Sequence, residues 1–281
     1  DYYARAAESA HRLLAYPEMA DFLRRQFSLL DSLPATPDNL AQQLDTLSRL
    51  GGALLIVKGL TAPEVEATLR RARVMCELVD DADKRFEVLL ALRFYWGQRC
   101  QWDESAQLKE ELMALGYRSE EPVHLQAALR LTGALSFHQG RFQEAYHYFE
   151  QAASLFEVNQ PRSRGQDFEQ DQGIANLRRL APALWLLGYP DQARARMQEL
   201  LERTHAIARP FDVLMTLDFA FDLAHCLRDP RLAQEYAAEY SALVAEHPNP
   251  HCVAVDLTFR GWVLAEQGAA DEGIALIQRG I

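Results

Sequence analysis

The sequence predicts an all-α fold, a right-handed superhelix of about seven antiparallel helix pairs. Apolar residues recur at the three- and four-residue spacing of an amphipathic helix, and no stretch shows the sustained alternation of a half-buried strand. β-Branched residues, which favour strands, are sparse. A pattern of small and large residues also returns about every forty residues along the chain, as in a helical repeat protein.

The clearest unit covers residues 129–156. Gly133 and Ala145 are small, which is expected where the two helices of a pair cross at short distance, and Phe142 and Phe149 supply bulk beside the crossing. Gly140 can adopt the left-handed conformation that ends the first helix. This arrangement of small and large positions resembles a tetratricopeptide repeat.

Three units precede this one, and three follow it. The preceding units carry their signature residues at Ala20 and Phe27, then at Gly52, Gly59 and Ala67, and then at Trp102 and Ser105. The following units carry theirs at Gly188, Ala193 and Met197, then at Ala233 and Tyr240, and then at Gly261, Gly268 and Gly273. The period exceeds the roughly 34 residues of the standard repeat, so we expect helices about one turn longer.

Two intervals between units are longer than the others, and both contain helix breakers. One includes Gly59 and Pro63, and the other is the polar segment 159–173, which we predict to be a loop. Since each pair of a solenoid packs only against its neighbours, we predict one solenoid over residues 1–281 with no internal domain boundary. The chain starts without methionine and stops inside the apolar-periodic stretch 272–281, so we expect a fragment of a larger multidomain protein.

Composition narrows the range of partners. The net charge is −11, and the basic runs are short, which disfavours nucleic acid as a partner. No run is long and apolar enough for a membrane span, and no secretory signal is evident, so we predict a cytoplasmic protein with no membrane partner. The cysteines at 76, 100, 226 and 252 lie far apart, which predicts buried, reduced thiols.

The chain also resembles a known helical region. Residues 50–78, 170–201 and 257–281 are similar to the region downstream of the ATPase module in bacterial STAND-type signalling proteins, which carry nucleotide cyclase, protein kinase or transcription-factor domains. Familiar members have a GQDPG-like motif where this chain has Gln170 to Gly173, with Gln172 in place of the proline. The resemblance implies an ATPase elsewhere in the full-length protein. No GxxxxGK[ST] or GxGxxG motif occurs here, so we predict no cofactor for this chain.

The repeat template places the first helix of each pair on the inner, concave face. Residues assigned to that face are Arg49, Arg130, His138, Arg178, Trp185, Asp218, Asp222, His225 and Trp262. Mixed aromatic and charged residues are typical of surfaces that anchor a peptide or protein. The alternative is that each of them is an ordinary solvated or packing residue.

Asp218, Asp222 and His225 could share one helix face and therefore a metal ion, but one helix rarely completes such a site, and we predict no metal. No HExxH or GxSxG motif is present, and we predict no catalytic residue. The sequence therefore predicts a non-catalytic interaction and regulatory module whose partner is a protein or peptide, possibly another domain of the same chain. The alternative is a peptide or small-molecule sensor that binds its ligand in the groove.

Overall fold

The computed structural model describes residues 2–13, 15–59, 62–155, 172–247 and 250–281, and no strand occurs within these ranges. The helices are α1 Tyr2–Arg12, α2 Tyr16–Asp31, α3 Pro37–Lys58, α4 Pro63–Met75, α5 Ala82–Gln98, α6 Trp102–Gln107, α7 Lys109–Arg118, α8 Pro122–His138, α9 Phe142–Ser154, α10 Gln172–Leu177, α11 Leu180–Leu186, α12 Pro190–Ile207, α13 Pro210–Cys226, α14 Pro230–Glu246, α15 Pro250–Glu266 and α16 Ala270–Gly280.

Two of these helices are interrupted members of a pair. A turn at Leu108 separates α6 from α7, and a turn at Arg178 and Arg179 separates α10 from α11. When each interrupted helix is counted once, the described residues form seven consecutive pairs. The predicted all-α fold of tetratricopeptide-like helix pairs is confirmed.

The contacts group the chain into two compact units, Asp1–Leu135 and Ser136–Ile281. In the first unit, each helix from α1 to α5 packs on the next, and the first helices α3 and α5 also pack on each other. In the second unit, the first helices α11, α13 and α15 pack side by side, while α12, α14 and α16 pack against them. Whether the two units form one solenoid stays a prediction.

Each unit has its own apolar core. The core of the first unit contains buried leucines from α2 to α7 together with Trp96, whose indole N–H donates a 3.1 Å hydrogen bond to Glu66 Oε1. The second unit is centred on aromatic rings of α13, α14 and α15. Phe221 and Phe259 stack with ring centroids 3.8 Å apart, and Tyr240 meets Phe259 edge-on at 5.1 Å.

The repeat predicts one small residue at the crossing on each second helix, and six of these seven residues are buried. Ala20, Ser105, Ala145, Ala193 and Ala233 are at most 1% exposed, and Gly273 is buried. At the last crossing, a Cβ built on Gly261 would lie only 2.5 Å from the carbonyl oxygen of Gly273, so α15 and α16 touch backbone to backbone. The predicted register therefore holds for these six pairs.

The register predicted for α3 and α4 is wrong. Ala67 is exposed, and a Cβ on Gly52 would meet nothing within 4 Å. The close approach lies instead between Gly51 and the fully buried Leu69, whose Cδ2 would collide with a Cβ at Gly51. Here the small residue lies on the first helix and a large one on the second, unlike α15 and α16, where both residues are glycine.

The predictions for the helix-ending glycine, the cysteines and the loop 159–173 have different outcomes. Gly140, Gly188 and Gly268 have φ values of +75°, +87° and +93°, which confirms the predicted left-handed end at Gly140. None of the four cysteines forms a disulfide, but Cys100 and Cys226 are exposed, so their predicted burial is wrong. Most of the predicted loop 159–173 lies outside the described residues, and α10 begins at Gln172.

No helix of the described ranges is long and apolar enough to span a membrane.

Substitution of Gly273 by alanine tests the close crossing of α15 and α16. Because the added methyl would meet the backbone of Gly261, we expect the free energy of unfolding to fall by about 1–3 kcal/mol in a chemical denaturation experiment. Gly52→Ala is the matched control, because its methyl enters open space in the middle of a helix. It should leave stability unchanged or raise it by up to about 1 kcal/mol. Equal effects of the two substitutions would contradict the crossing.

Candidate binding surface on the first helices

All nine residues predicted for the inner face lie on first helices or on the turn within one. Arg49 is on α3, Arg130 and His138 are on α8, Arg178 precedes α11, Trp185 is on α11, Asp218, Asp222 and His225 are on α13, and Trp262 is on α15. Arg49 and Arg130 belong to the first unit, and the other seven belong to the second. Their role in binding stays a prediction.

Arg49, Arg130 and His138 are the predicted residues on α3 and α8. Arg49 is partly buried, and its Nη2 forms a 3.1 Å ion pair with Glu8 Oε2, which joins α3 to α1. Arg130 is partly buried on α8. His138, at the end of α8 in the second unit, is exposed and meets the ring of Phe137 edge-on at 5.9 Å.

In the second unit, several of the predicted residues come together on α13 and α15. Asp218, Asp222 and His225 follow one face of α13, because they are spaced by four and three residues. The His225 ring meets the partly buried Trp262 ring edge-on, with centroids 4.9 Å apart. Trp262 also meets Phe221 at 5.4 Å, so the core supports the position of its indole. We call Asp222, His225 and Trp262 the α13–α15 cluster.

A second group forms around Phe219, next to Asp218. The guanidinium carbons of Arg178 and Arg179 lie 5.6 and 5.4 Å from the centre of the Phe219 ring. Arg178 is only 7% exposed, and its charge acts on Asp218. Arg179 is not among the residues predicted from the sequence. The adjacent arginines at the interruption between α10 and α11 are the signal that could have indicated this group.

Trp185 is the last of the nine residues predicted for the inner face. It is partly buried on α11 and packs against the core of the second unit. Because α11 also packs on α13, Trp185 belongs to the same layer of first helices as the residues above. We call this layer, formed by α11, α13 and α15, the first-helix surface of the second unit.

Asp218 and Asp222 of α13 are less acidic than ordinary aspartates. Burial and the neighbouring charge of Asp222 raise the pKa of Asp218 to about 6, while Arg178 acts in the opposite direction. Surrounding atoms also desolvate Asp222 and raise its pKa although the residue is exposed, and His225 opposes that rise. Among the described residues, no basic group lies within ion-pair distance of either carboxylate.

Metal binding was the alternative considered for Asp218, Asp222 and His225. Within the described part of the chain, no three or more His, Cys, Asp or Glu side chains are arranged so that they could hold a metal ion.

One cavity was not anticipated from the sequence. It has a volume of about 490 Å³ in the first unit and is lined by the segment from Cys76 to Ala82 together with Arg85, Leu115 and Arg118. Burial raises the pKa of the Cys76 thiol to about 11, so this thiol is neutral at physiological pH. Arg85 is already paired with Glu111. The charged groups of the wall include both signs, and no reactive constellation is evident among them.

Comparisons with known proteins give structural neighbours only. No protein-family model and no curated protein matches the chain. The apo form of RapI matches with a TM-score of 0.73 at 9% identity, over 99% of this chain and 94% of that one. The Rap conjugation gene regulator of plasmid pLS20, in complex with the Phr* peptide, matches with a TM-score of 0.67 at 12% identity, over 98% of this chain and 70% of that one.

A third neighbour is a Signal Transduction ATPase with Numerous Domains (STAND) protein with a tetratricopeptide repeat sensor, PH0952 from Pyrococcus horikoshii. Its TM-score is 0.62 at 12% identity, over 99% of this chain. The present chain spans only 40% of the length of that protein. At these identities the matches show a shared tetratricopeptide-like fold.

The raised pKa of Asp218 predicts a pH dependence of stability. Between the ordinary aspartate pKa of 3.8 and about 6, the folded state holds more protons than the unfolded state. The free energy of unfolding contributed by this group therefore falls as the pH rises through that window. Asp218→Asn should remove the fall, so the variant gains stability relative to the wild type between pH 4 and 7.

The groups that act on Asp218 are Asp222, Arg178, Tyr240 and Cys252, and all of them remain in this variant. Glu202→Gln on the exposed side of α12 is the control and should follow the wild type across the range. Denaturation curves at each pH measure the difference. A loss of stability in Asp218→Asn at pH 7 would show that attraction by Arg178 outweighs burial and repulsion.

Proposed function

We propose that the chain is a non-catalytic, tetratricopeptide-like module that binds a protein or peptide partner through its first helices. The observation that carries this proposal is the first-helix surface of the second unit. There, polar and aromatic groups from α13 and α15 meet at ring-contact distance, while the core holds their positions. Rigid aromatic residues surrounded by charged ones are the usual anchors of protein and peptide interfaces.

The accessibility of this surface supports the same function. Asp222 and His225 are exposed, and Trp185 and Trp262 keep part of their rings accessible. Tryptophan contributes strongly at interfaces because it offers a large contact area at a low cost in conformational entropy. A partner that covers Trp185 and Trp262 would bury apolar area that is already held in place.

The proposed context is a bacterial signal-transduction protein of the STAND type, with an ATPase, nucleotide cyclase or similar domain elsewhere in the chain. The sequence resemblance and the match to the STAND protein with a tetratricopeptide repeat sensor support this context. In this role the helical module holds the activity of the other domains on or off according to what it binds. A cytoplasmic location, with no nucleic-acid or membrane partner, belongs to the same proposal.

A sensor of a peptide or small molecule is the second candidate. It is favoured by the match to the Rap regulator bound to the Phr* peptide, which covers 98% of this chain. The first candidate is an interaction and regulatory module, and the second is a sensor that binds a peptide or a small molecule in the groove; both use the first helices.

Selection of a random decapeptide phage library against the chain tests the binding surface. We expect selected peptides to bind saturably, as measured by fluorescence anisotropy, and the double variant Trp185→Ala, Trp262→Ala to weaken binding by about tenfold or more. Tyr117→Ala is the matched control, because Tyr117 is an exposed aromatic residue on a second helix, α7. The proposal fails if no peptide binds saturably, or if only the control variant weakens binding.

A test of the proposed regulatory role requires the parent protein. We expect deletion of residues 1–281 from it to change its basal ATPase or cyclase rate and to abolish the response to the partner. Measurement of the rate with and without the partner checks this expectation. If the rate and the response both stayed as in the intact protein, the regulatory role would be wrong, although binding by the isolated module could stand.

A further inference from the structure

Helix α13 combines a carboxylate with an aromatic ring twice along its length. The first combination is Asp218 with Phe219. The second is Asp222 with Trp262 of α15: His225 lies three residues after Asp222 on the same face of α13, and its ring meets the Trp262 ring at 4.9 Å. The two combinations are one helical turn apart, because Asp218 and Asp222 are separated by four residues.

The chain itself supplies cations to the first combination. Arg178 and Arg179 lie over the Phe219 ring at 5.6 and 5.4 Å, and the charge of Arg178 acts on Asp218. The guanidinium groups gain cation–π attraction from the Phe219 ring, and Arg178 also attracts Asp218 although the two are beyond ion-pair distance. This group therefore shows a guanidinium accommodated beside an aromatic ring and near a carboxylate.

The second combination has no such cation among the described residues. No guanidinium or ammonium group lies within ion-pair distance of Asp222, and none lies over the Trp262 ring. The rings of His225 and Trp262 are nearly perpendicular, with an angle of 76° between their planes. Surrounding atoms desolvate Asp222, which is unfavourable for a carboxylate, and the neighbouring His225 opposes this effect only in part.

We propose that the α13–α15 cluster receives a cationic side chain, an arginine or a lysine, of the bound peptide or protein. This inference rests on the proposed binding function and specifies the chemistry of the partner. Asp222 pairs with the cationic group, and the Trp262 indole contacts it through its face. The net charge of −11 raises the local concentration of basic partners and repels acidic ones.

Nuclear magnetic resonance of the indole N–H groups tests the cluster at about pH 8. The probe is the capped tripeptide acetyl-Gly-Arg-Gly-amide, and its neutral counterpart is acetyl-Gly-Gln-Gly-amide. Trp262→Phe assigns the Trp262 signal. We expect the arginine peptide to shift that signal saturably, with a Kd of roughly 1 mM, and the glutamine peptide to bind about tenfold more weakly.

Two isosteric variants make the test specific. Asp222→Asn should raise the Kd of the arginine peptide about fivefold, because the carboxylate charge is lost while the shape stays. Glu202→Gln removes a charge from the exposed side of α12 and should leave the Kd unchanged within experimental error. Equal effects of the two variants would mean that only the overall charge attracts the peptide, and the proposal would be overturned.

The outcome can be separated from that of the proposed function. If the arginine peptide leaves the Trp262 signal in place while selected decapeptides still depend on Trp185 and Trp262, the cation site is wrong and the binding surface stands. Preference of those decapeptides for glutamate or aspartate over arginine and lysine would also overturn the proposal. If the decapeptides fail to bind but the arginine peptide shifts Trp262, the cation site exists and the proposed binding surface for whole peptides is wrong.

Discussion

Close packing of consecutive helices is the constraint on which the structure depends. At α15 and α16, a single Cβ on Gly261 would be 2.5 Å from a backbone oxygen, so this pair tolerates no side chain at its crossing. The crossing residues of other pairs are also small: Ala145, Ala193 and Ala233 are fully buried. Such short distances fix how each second helix lies on its first helix. They also leave the first helices of the second unit free to pack side by side.

The binding surface is a consequence of that layer. Because α11, α13 and α15 are neighbours, residues far apart in sequence come together, such as Arg178 with Phe219 and His225 with Trp262. Phe221, which stacks on Phe259 in the aromatic core, also contacts the Trp262 ring and supports its position. A partner that binds there meets groups whose orientation is already fixed, which lowers the entropic cost of recognition.

Much of the fold could be predicted from the sequence, because the crossing residues recur with the period of the repeat and the period sets the pairing. At α3 and α4, however, the register predicted from the sequence is wrong. Gly51 and Gly52 are adjacent, and only the packing of Leu69 decides which of them faces the neighbour. The sequence also placed the inner-face residues on first helices. It could not identify Arg179, nor the role of Phe219, because their contact joins a helix interruption to a separate helix.

Hydroxyl-radical footprinting of the chain, alone and with a selected peptide bound, tests the central claim most directly, because it reports the solvent exposure of individual side chains. The account predicts that Trp185, His225 and Trp262 become protected from oxidation when the peptide binds, while the exposed Tyr189 and Ile274, at the start of α12 and on α16, react as before. Protection of Tyr189 and Ile274 with unchanged reactivity of the two tryptophans would place the partner on the second helices and contradict the account.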